Sequence, residues 1–348
     1  MALPVILLAS CSDDKKSEPP APVVVEVATV QLSRSTVYIE QGKKATLAAT
    51  IAPDKTLEWS SANASIAEVD AKGTVSAKAL GTTTITATAS NGVKGTATVT
   101  VFDPTDIPIP DAKFKASLLN QITHAHPDKI SLEEAKAVPG INCASQGIES
   151  LEGIQFFENL EMLYCGDNVL TNLDVSSLTK LKLLYCEDNK LTNLDVSSLT
   201  NLEILNCQHN RLTRLDVSSL TKLMFLACGD NSLDEVIFGE ASNLMQFQIY
   251  GDVFSKLDIS GLTELKGLFI LENHSLTELT LDNLPKLEYL SFENTVLAKL
   301  DLSGLTGLNF LTCRNNSLLT ELWFQDKAQR DRVSLNIDSE DIIRYHNE

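Results

Sequence analysis

The chain has 348 residues, 43% hydrophobic and 21% charged, enough apolar material for about two packed domains of ~150 residues and too much for a disordered protein. With 46 acidic against 28 basic residues, the net charge is −18, so the surface repels nucleic acid and anionic lipid alike. No apolar run reaches the ~20 residues that a membrane-crossing helix needs.

Residues 1–22 read as an address followed by a tether. Met1-Ala2-Leu3-Pro4-Val5-Ile6-Leu7-Leu8-Ala9-Ser10-Cys11 is a short apolar stretch ending in small residues before a cysteine, with no Lys or Arg ahead of it. Ser17-Glu18-Pro19-Pro20-Ala21-Pro22 then reads as an extended spacer. Leu8-Ala9-Ser10-Cys11 resembles a bacterial lipobox, which implies cleavage before Cys11 and acylation of its thiol. The acidic Asp13-Asp14 that follows resembles the export signals of Bacteroidota surface lipoproteins. This resemblance implies a lipid-anchored location at the outer membrane or cell surface, with the lipid as the only membrane contact. The plain alternative is an irregular start with an incidental cysteine.

Residues 23–102 hold 14 Thr and only 4 Leu, a composition that favours pleated strands. The alternation predicts strands at 26–32, 36–39, 45–51, 57–60, 66–69, 75–79, 83–89 and 96–101. Turns at Gly42, Pro53-Asp54, Gly73, Gly81 and Asn91-Gly92 space them as in a β-sandwich. Trp59 is the expected core anchor. The strings Leu57-Glu58-Trp59-Ser60-Ser61-Ala62-Asn63, Gly73-Thr74-Val75 and Gly81-Thr82-Thr83-Thr84-Ile85 resemble the bacterial immunoglobulin-like group 2 family. That resemblance implies a disulfide-free immunoglobulin-like module, serving as a spacer or as an adhesive head.

Residues 103–110 carry three prolines and read as a stiff linker. Residues 111–137 predict a short helical N-terminal cap. Asp111 is the N-cap before an apolar face of Phe114, Leu118 and Ile122, and Ser131-Leu132-Glu133-Glu134 has the form of a capping box. The region resembles an EF-hand loop ending in I-S-x-x-E, matched by Ile130, Ser131 and Glu134. Thr123, Ala125 and Pro127 stand where carboxylates would be needed, which rules out calcium. His124 and His126 lack a third ligand, so no metal is expected there.

From 138 to 348 one frame recurs, L-x-x-L-x-C-x-x-N-x-L-x-x-L. It starts at Leu160, Leu181, Leu202, Leu223, Leu244, Leu265, Leu287 and Leu308, every 21 residues with one spacing of 22, and a degenerate copy starts at Val138. Asn168, Asn189, Asn210, Asn231, Asn273 and Asn316 fill the Asn position, with Asp252 and Thr295 as departures. Nine turns and a closing strand at 333–337 follow. Cys143, Cys165, Cys186, Cys207, Cys228 and Cys313 share one position with Ile249, Ile270 and Phe292. Such a position reads as buried, reduced packing, not as disulfide or zinc chemistry. The frame is identified with the leucine-rich repeat family, and its Leu-Asp-Val-Ser-Ser-Leu-Thr segments resemble the convex sides of internalin-like bacterial surface proteins. The whole chain is thus expected to be mainly β, an immunoglobulin-like sandwich followed by a leucine-rich solenoid.

Period-2 alternation sends the residues flanking each inward Leu to the concave face. There Met162, Tyr164, Leu183, Tyr185, Ile204, Phe225, Phe269, Tyr289 and Phe310 form an apolar and aromatic stripe, the expected contact surface for a protein partner. Asp167, Glu187, Asp188, Asp230, Glu272 and Glu293 give it an acidic margin suited to a basic partner. Sugar rings stacking on Tyr164 and Tyr185 are the alternative, and purely structural packing of the envelope is a third. None of the five histidines accompanies a nucleophile motif and no phosphate-cradling loop occurs, so neither an enzyme nor a cofactor is expected.

Overall fold

A computed structural model describes residues 29–52, 56–239, 243–251 and 254–347. Cys11, the tether and Asp252 lie outside them. The chain divides into two compact units after Val101.

The first unit is all β. Its strands are β1 (Thr29–Leu32), β2 (Thr36–Glu40), β3 (Lys44–Thr46), β4 (Ala49–Ala52), β5 (Leu57–Ser61), β6 (Ala67–Val69), β7 (Thr74–Ala77), β8 (Gly81–Ala89) and β9 (Lys94–Phe102). They form sheets ordered β2-β9-β8-β5, β3-β7-β6 and β1-β4. Alternate residues Ile85, Ala97, Val99 and Val101 point inward from the long β8–β9 pair and meet Val37, Ile39, Leu47, Ala67 and Val75.

Two expectations need correction here. The single strand read at 45–51 is two strands in different sheets. The Leu47 N–H still bonds the Gly73 carbonyl beside β7, while the Ala48 carbonyl accepts from Ser33 at the end of β1, so the chain changes sheets between these residues. Trp59 is not the central anchor. It is half-buried at the margin of the core, its ring lying over Gly73, where a Cβ would come within 2.8 Å of the indole. Small alanines and valines fill the centre instead.

In the second unit, segment 103–110 packs as part of the fold. Ile107 and Ile109 are buried, the Ile107 N–H bonds the Ile130 carbonyl, and Phe102 rests against Phe156 at 4.9 Å between ring centroids. Helix α1 (Ala112–Gln121) is capped by Asp111, whose Oδ1 accepts from Lys113 and Phe114 while its Oδ2 accepts from Glu149 and Ser150. Ile122 is the extended residue that ends α1, so the buried helical face stops at Leu118. Helix α2 (Leu132–Lys136) opens with a capping box between Ser131 and Glu134. Glu134 is fully engaged in it, also accepting from the Ala125 N–H.

The rest is a leucine-rich parallel β-solenoid. Ten strands form one sheet in chain order: Gly140–Asn142, Met162–Tyr164, Leu183–Tyr185, Ile204–Asn206, Phe225–Ala227, Gln246–Tyr250, Gly267–Leu271, Tyr289–Glu293, Phe310–Cys313 and Ser334–Ile337. Each turn buries its leucines only against adjacent turns, so the core is one continuous column. Asparagine side chains tie the turns together. Asn189 Oδ1 accepts from the Leu170 N–H at 2.9 Å, and its Nδ2 donates to the carbonyls of Cys165, Cys186 and Glu187. Asn168, Asn210 and Asn231 repeat the pattern.

The outer segments of the turns add short strands of their own. In the later turns they pair into further parallel ladders, Arg214–Asp216 with Glu235–Ile237, Lys256–Asp258 with Glu278–Thr280, and Lys299–Asp301 with Glu321–Phe324 and then Ile343–Tyr345. In each Asp-x-Ser the carboxylate accepts from the Ser N–H two residues on, as in Asp174, Asp195, Asp216, Asp258 and Asp301, an Asx turn that fixes the bend.

Candidate functional site: the outward face of the solenoid sheet

The second residue of each strand points inward. Leu163, Leu184, Leu205, Leu226, Phe247, Leu268, Leu290 and Leu311 are all buried. Their neighbours point outward, and parallel pairing sets these in columns. One column runs Met162, Leu183, Ile204, Phe225, Gln246, Gly267, Tyr289 and Phe310. The second runs Tyr164, Tyr185, Asn206, Ala227, Gln248, Phe269, Ser291 and Thr312.

The stripe is two patches. Met162, Tyr164, Leu183, Tyr185, Ile204 and Phe225 come together across four strands, and Phe269, Tyr289 and Phe310 gather further along. Gln246 and Gln248 lie between, while Ala227 and Gly267 are buried. Ala227 is too short to emerge, and the Phe269 ring leans over Gly267, 3.1 Å from where a Cβ would sit. Exposure concentrates at the ends: Met162 is 37%, Tyr289 45% and Phe310 47% exposed. Tyr164, Leu183, Tyr185, Ile204, Phe225 and Phe269 are half-buried.

Strand spacing of ~4.8 Å suits offset-stacked rings on neighbouring strands. Tyr164 and Tyr185 stack at 4.9 Å and 20°, and Tyr289 and Phe310 at 4.9 Å and 3°. Each pair is stacked along the sheet, so one face of each ring lies against its partner.

The margin holds residues that sequence reasoning took only as charges. At the seventh position after each repeat start the backbone is left-handed: Asp167, Asp188, His209, Asp230, Glu272, Asn294 and Asn315 have φ between 50° and 58°, and Gly251 lies at 60°. The recurrence of Asp, Asn and Gly there was the available signal, since these residues tolerate that region best. Glu187 was also undervalued. Its carboxylate folds over Gly166, where a Cβ would lie 2.6 Å from Oε1, and Oε2 is buried without a hydrogen-bond partner. Burial holds the Glu187 acid above the usual carboxylate range, with neighbouring Asp188 adding to the effect. The signal was the glycine one turn earlier in the same column.

The cysteine column is buried and unbridged. Burial pushes the Cys143 and Cys313 thiols up to about 12 and those of Cys165 and Cys186 well above the ordinary value, so they are poor nucleophiles. Among the described residues no three His, Cys, Asp or Glu converge as a metal site, and no helix is long and apolar enough to cross a membrane.

Known proteins resemble parts of this chain. Residues 26–102 match the family Bacterial Ig-like domain (group 2). Lacto-N-biosidase of Bifidobacterium bifidum is 32% identical over 97 residues, 27% of this chain, and the chain spans 9% of that protein's length. Among solved structures, internalin C2 of Listeria monocytogenes is 20% identical with a TM-score of 0.49, covering 60% of this chain and 96% of its own. Another internalin of that species, inlF, is 19% identical with a TM-score of 0.37, covering 70% and 98%.

Proposed function

We propose that this is a non-enzymatic bacterial surface protein whose solenoid presents its outward, concave sheet face to a protein partner. The observation that carries the reading is the pair of apolar patches, half-buried in the middle and exposed at Met162, Tyr289 and Phe310. Aromatic groups embedded in a firm surface are the usual anchors of protein interfaces. The stacked rings favour a protein over a glycan, because a sugar packs on an open aromatic face and each of these rings has one face taken by its partner.

In the same reading, Cys11 carries a lipid at the outer membrane or cell surface and the Ig-like domain acts as a spacer. Helices α1 and α2 serve as the cap of the solenoid, a role supported by the buried Phe114 and Leu118 and by the Gln121 side-chain Oε1 that accepts from the Asn142 N–H on the first strand. The full chain should select a protein ligand from a protein array and nothing from a polysaccharide array. Tyr185→Ala and Phe310→Ala should each weaken that ligand about tenfold with the melting temperature nearly unchanged. A ligand retained at full affinity by both variants refutes the site, and a polysaccharide hit lost in Tyr185→Ala refutes the partner class. Cys11→Ala should abolish fatty-acid labelling.

A further inference from the structure

We propose that Glu187, beside the Tyr164–Tyr185 stack, receives one cationic side chain, Lys or Arg, from the partner. This rests on the protein-binding reading and narrows the partner to one that offers a basic residue to the first apolar patch.

The geometry supplies the slot. Gly166 leaves an opening one turn before Glu187 in the same column, and the carboxylate occupies it; any side chain at 166 would collide with Oε1 and Cδ at 2.6 and 2.7 Å. Glu187 lies close enough to Tyr185 for its charge to help hold the phenol's pKa up, after burial and Tyr164. The receptor therefore has a carboxylate at one end and stacked aromatic rings at the side.

The carboxylate is also unpaired. Other acids around this sheet have cations or donors: Glu161 has Lys182 at 2.8 Å, Asp230 has His209 at 3.4 Å, and Glu272 takes Asn294 Nδ2 at 2.7 Å. Asp167 and Asp188 are exposed and solvated. Glu187 is partly desolvated, Oε2 has no partner, and the one hydrogen bond that favours its charge comes from its own backbone N–H. A half-buried carboxylate with one oxygen shut off from water and unmatched is costly. An arriving ammonium or guanidinium would offset that cost with a charge-assisted bond. Its aliphatic stem would lie along the tyrosines, and the net charge of −18 steers cations toward the surface. A neutral donor could fill the hydrogen bond but would leave the charge uncompensated.

The test uses the full chain and three labelled peptides that alternate Gly with Lys, Gln or Glu. The Lys peptide should bind about tenfold tighter than the Gln peptide, and the Glu peptide should not bind. Glu187→Gln should remove the Lys preference, whereas Glu203→Gln, which deletes the same charge on the following turn, should change it less than about twofold. In carboxyl-resolved NMR, the Glu187 titration should move to lower pH when the Lys peptide is added. Equal losses in both variants, or no preference for Lys over Gln, overturns the receptor. Independently, Phe310→Ala tests the wider reading: loss of the protein ligand there, with Glu187→Gln binding it normally, rejects this inference and leaves the protein-binding face standing.

Discussion

The solenoid is built one way from Cys143 to Cys228 and another from Ile249 to Phe292. In the first region the strands are three residues long, cysteines fill the buried column, and Asn168, Asn189, Asn210 and Asn231 each donate to the cysteine carbonyls of their own and the preceding turn. In the second, strands Gln246–Tyr250, Gly267–Leu271 and Tyr289–Glu293 are five residues long. Ile249, Ile270 and Phe292 replace the cysteines there, and the fully buried Asn273 has an Nδ2 with no partner among the described residues. The difference teaches that a side-chain amide and a neighbouring strand compete for one carbonyl. Where asparagine takes it, the strand stops; where the amide is idle, Ile249 pairs with Ile270 and Tyr250 with Leu271 and the ladder runs on. β-Branched and aromatic side chains favour that longer strand.

The sharpest way to break this contrast is to delete asparagine on both sides. Asn189→Ala should cost about 3 kcal/mol in urea unfolding, because buried N–H and carbonyl groups lose their partner together. Asn273→Ala should cost no more than about 1 kcal/mol, since among the described residues its Oδ1 accepts from the Ser275 N–H alone, at 3.3 Å. Equal costs would refute the competition. Next in size, Cys186→Ser should cost about 2 kcal/mol by placing a hydroxyl in an apolar column. Alkylation should leave the native thiols untouched and label them all after denaturation.

Smaller effects separate the sheet face from the turns by pH. Glu187 binds its proton more readily in the folded chain than in the unfolded one, so the penalty of its charge is absent at pH below the ordinary glutamate value, about 4.3, and develops as pH rises through the raised one. Glu187→Gln should therefore melt higher than the parent at neutral pH and converge with it in acid. Asp216 runs the other way. Side-chain and backbone hydrogen bonds from Ser218 hold it below its usual 3.8, so its support is present above that value and lost as pH falls through the lowered one. Asp216→Asn should lower the neutral-pH midpoint and lose its effect in acid. The smallest expected change tests what the two regions share, the left-handed position. His209→Gly and Glu272→Gly should each gain about 0.5 kcal/mol by relieving a positive φ; a gain on one side only would show that the turns differ there as well.

Much of this architecture is legible in the sequence because a 21-residue period repeats one set of contacts many times. The frame from Leu160 places the inward leucines, the asparagine bonds and the buried cysteines correctly. What it misses depends on contacts between turns that differ from the average. The pairing of Lys299–Asp301 with Glu321–Phe324 joins a Leu300-Asp301 segment to one that reads Leu322-Trp323-Phe324, a departure from the repeat that the shared frame does not predict. Gly166 under Glu187 is a relation between two turns, invisible when each is read alone. Likewise, alternation predicts that Ala227 and Gly267 face outward, but not that short side chains there sink beneath their neighbours.

The idle amide of Asn273 has a mechanical consequence. In a stack where each turn touches only the next, tension applied to the ends passes through every junction in series. A junction without its side-chain tie is then the fuse of the assembly. Under load the solenoid would part near that turn first, leaving the tied block from Asn168 to Asn231 folded while the remainder extends.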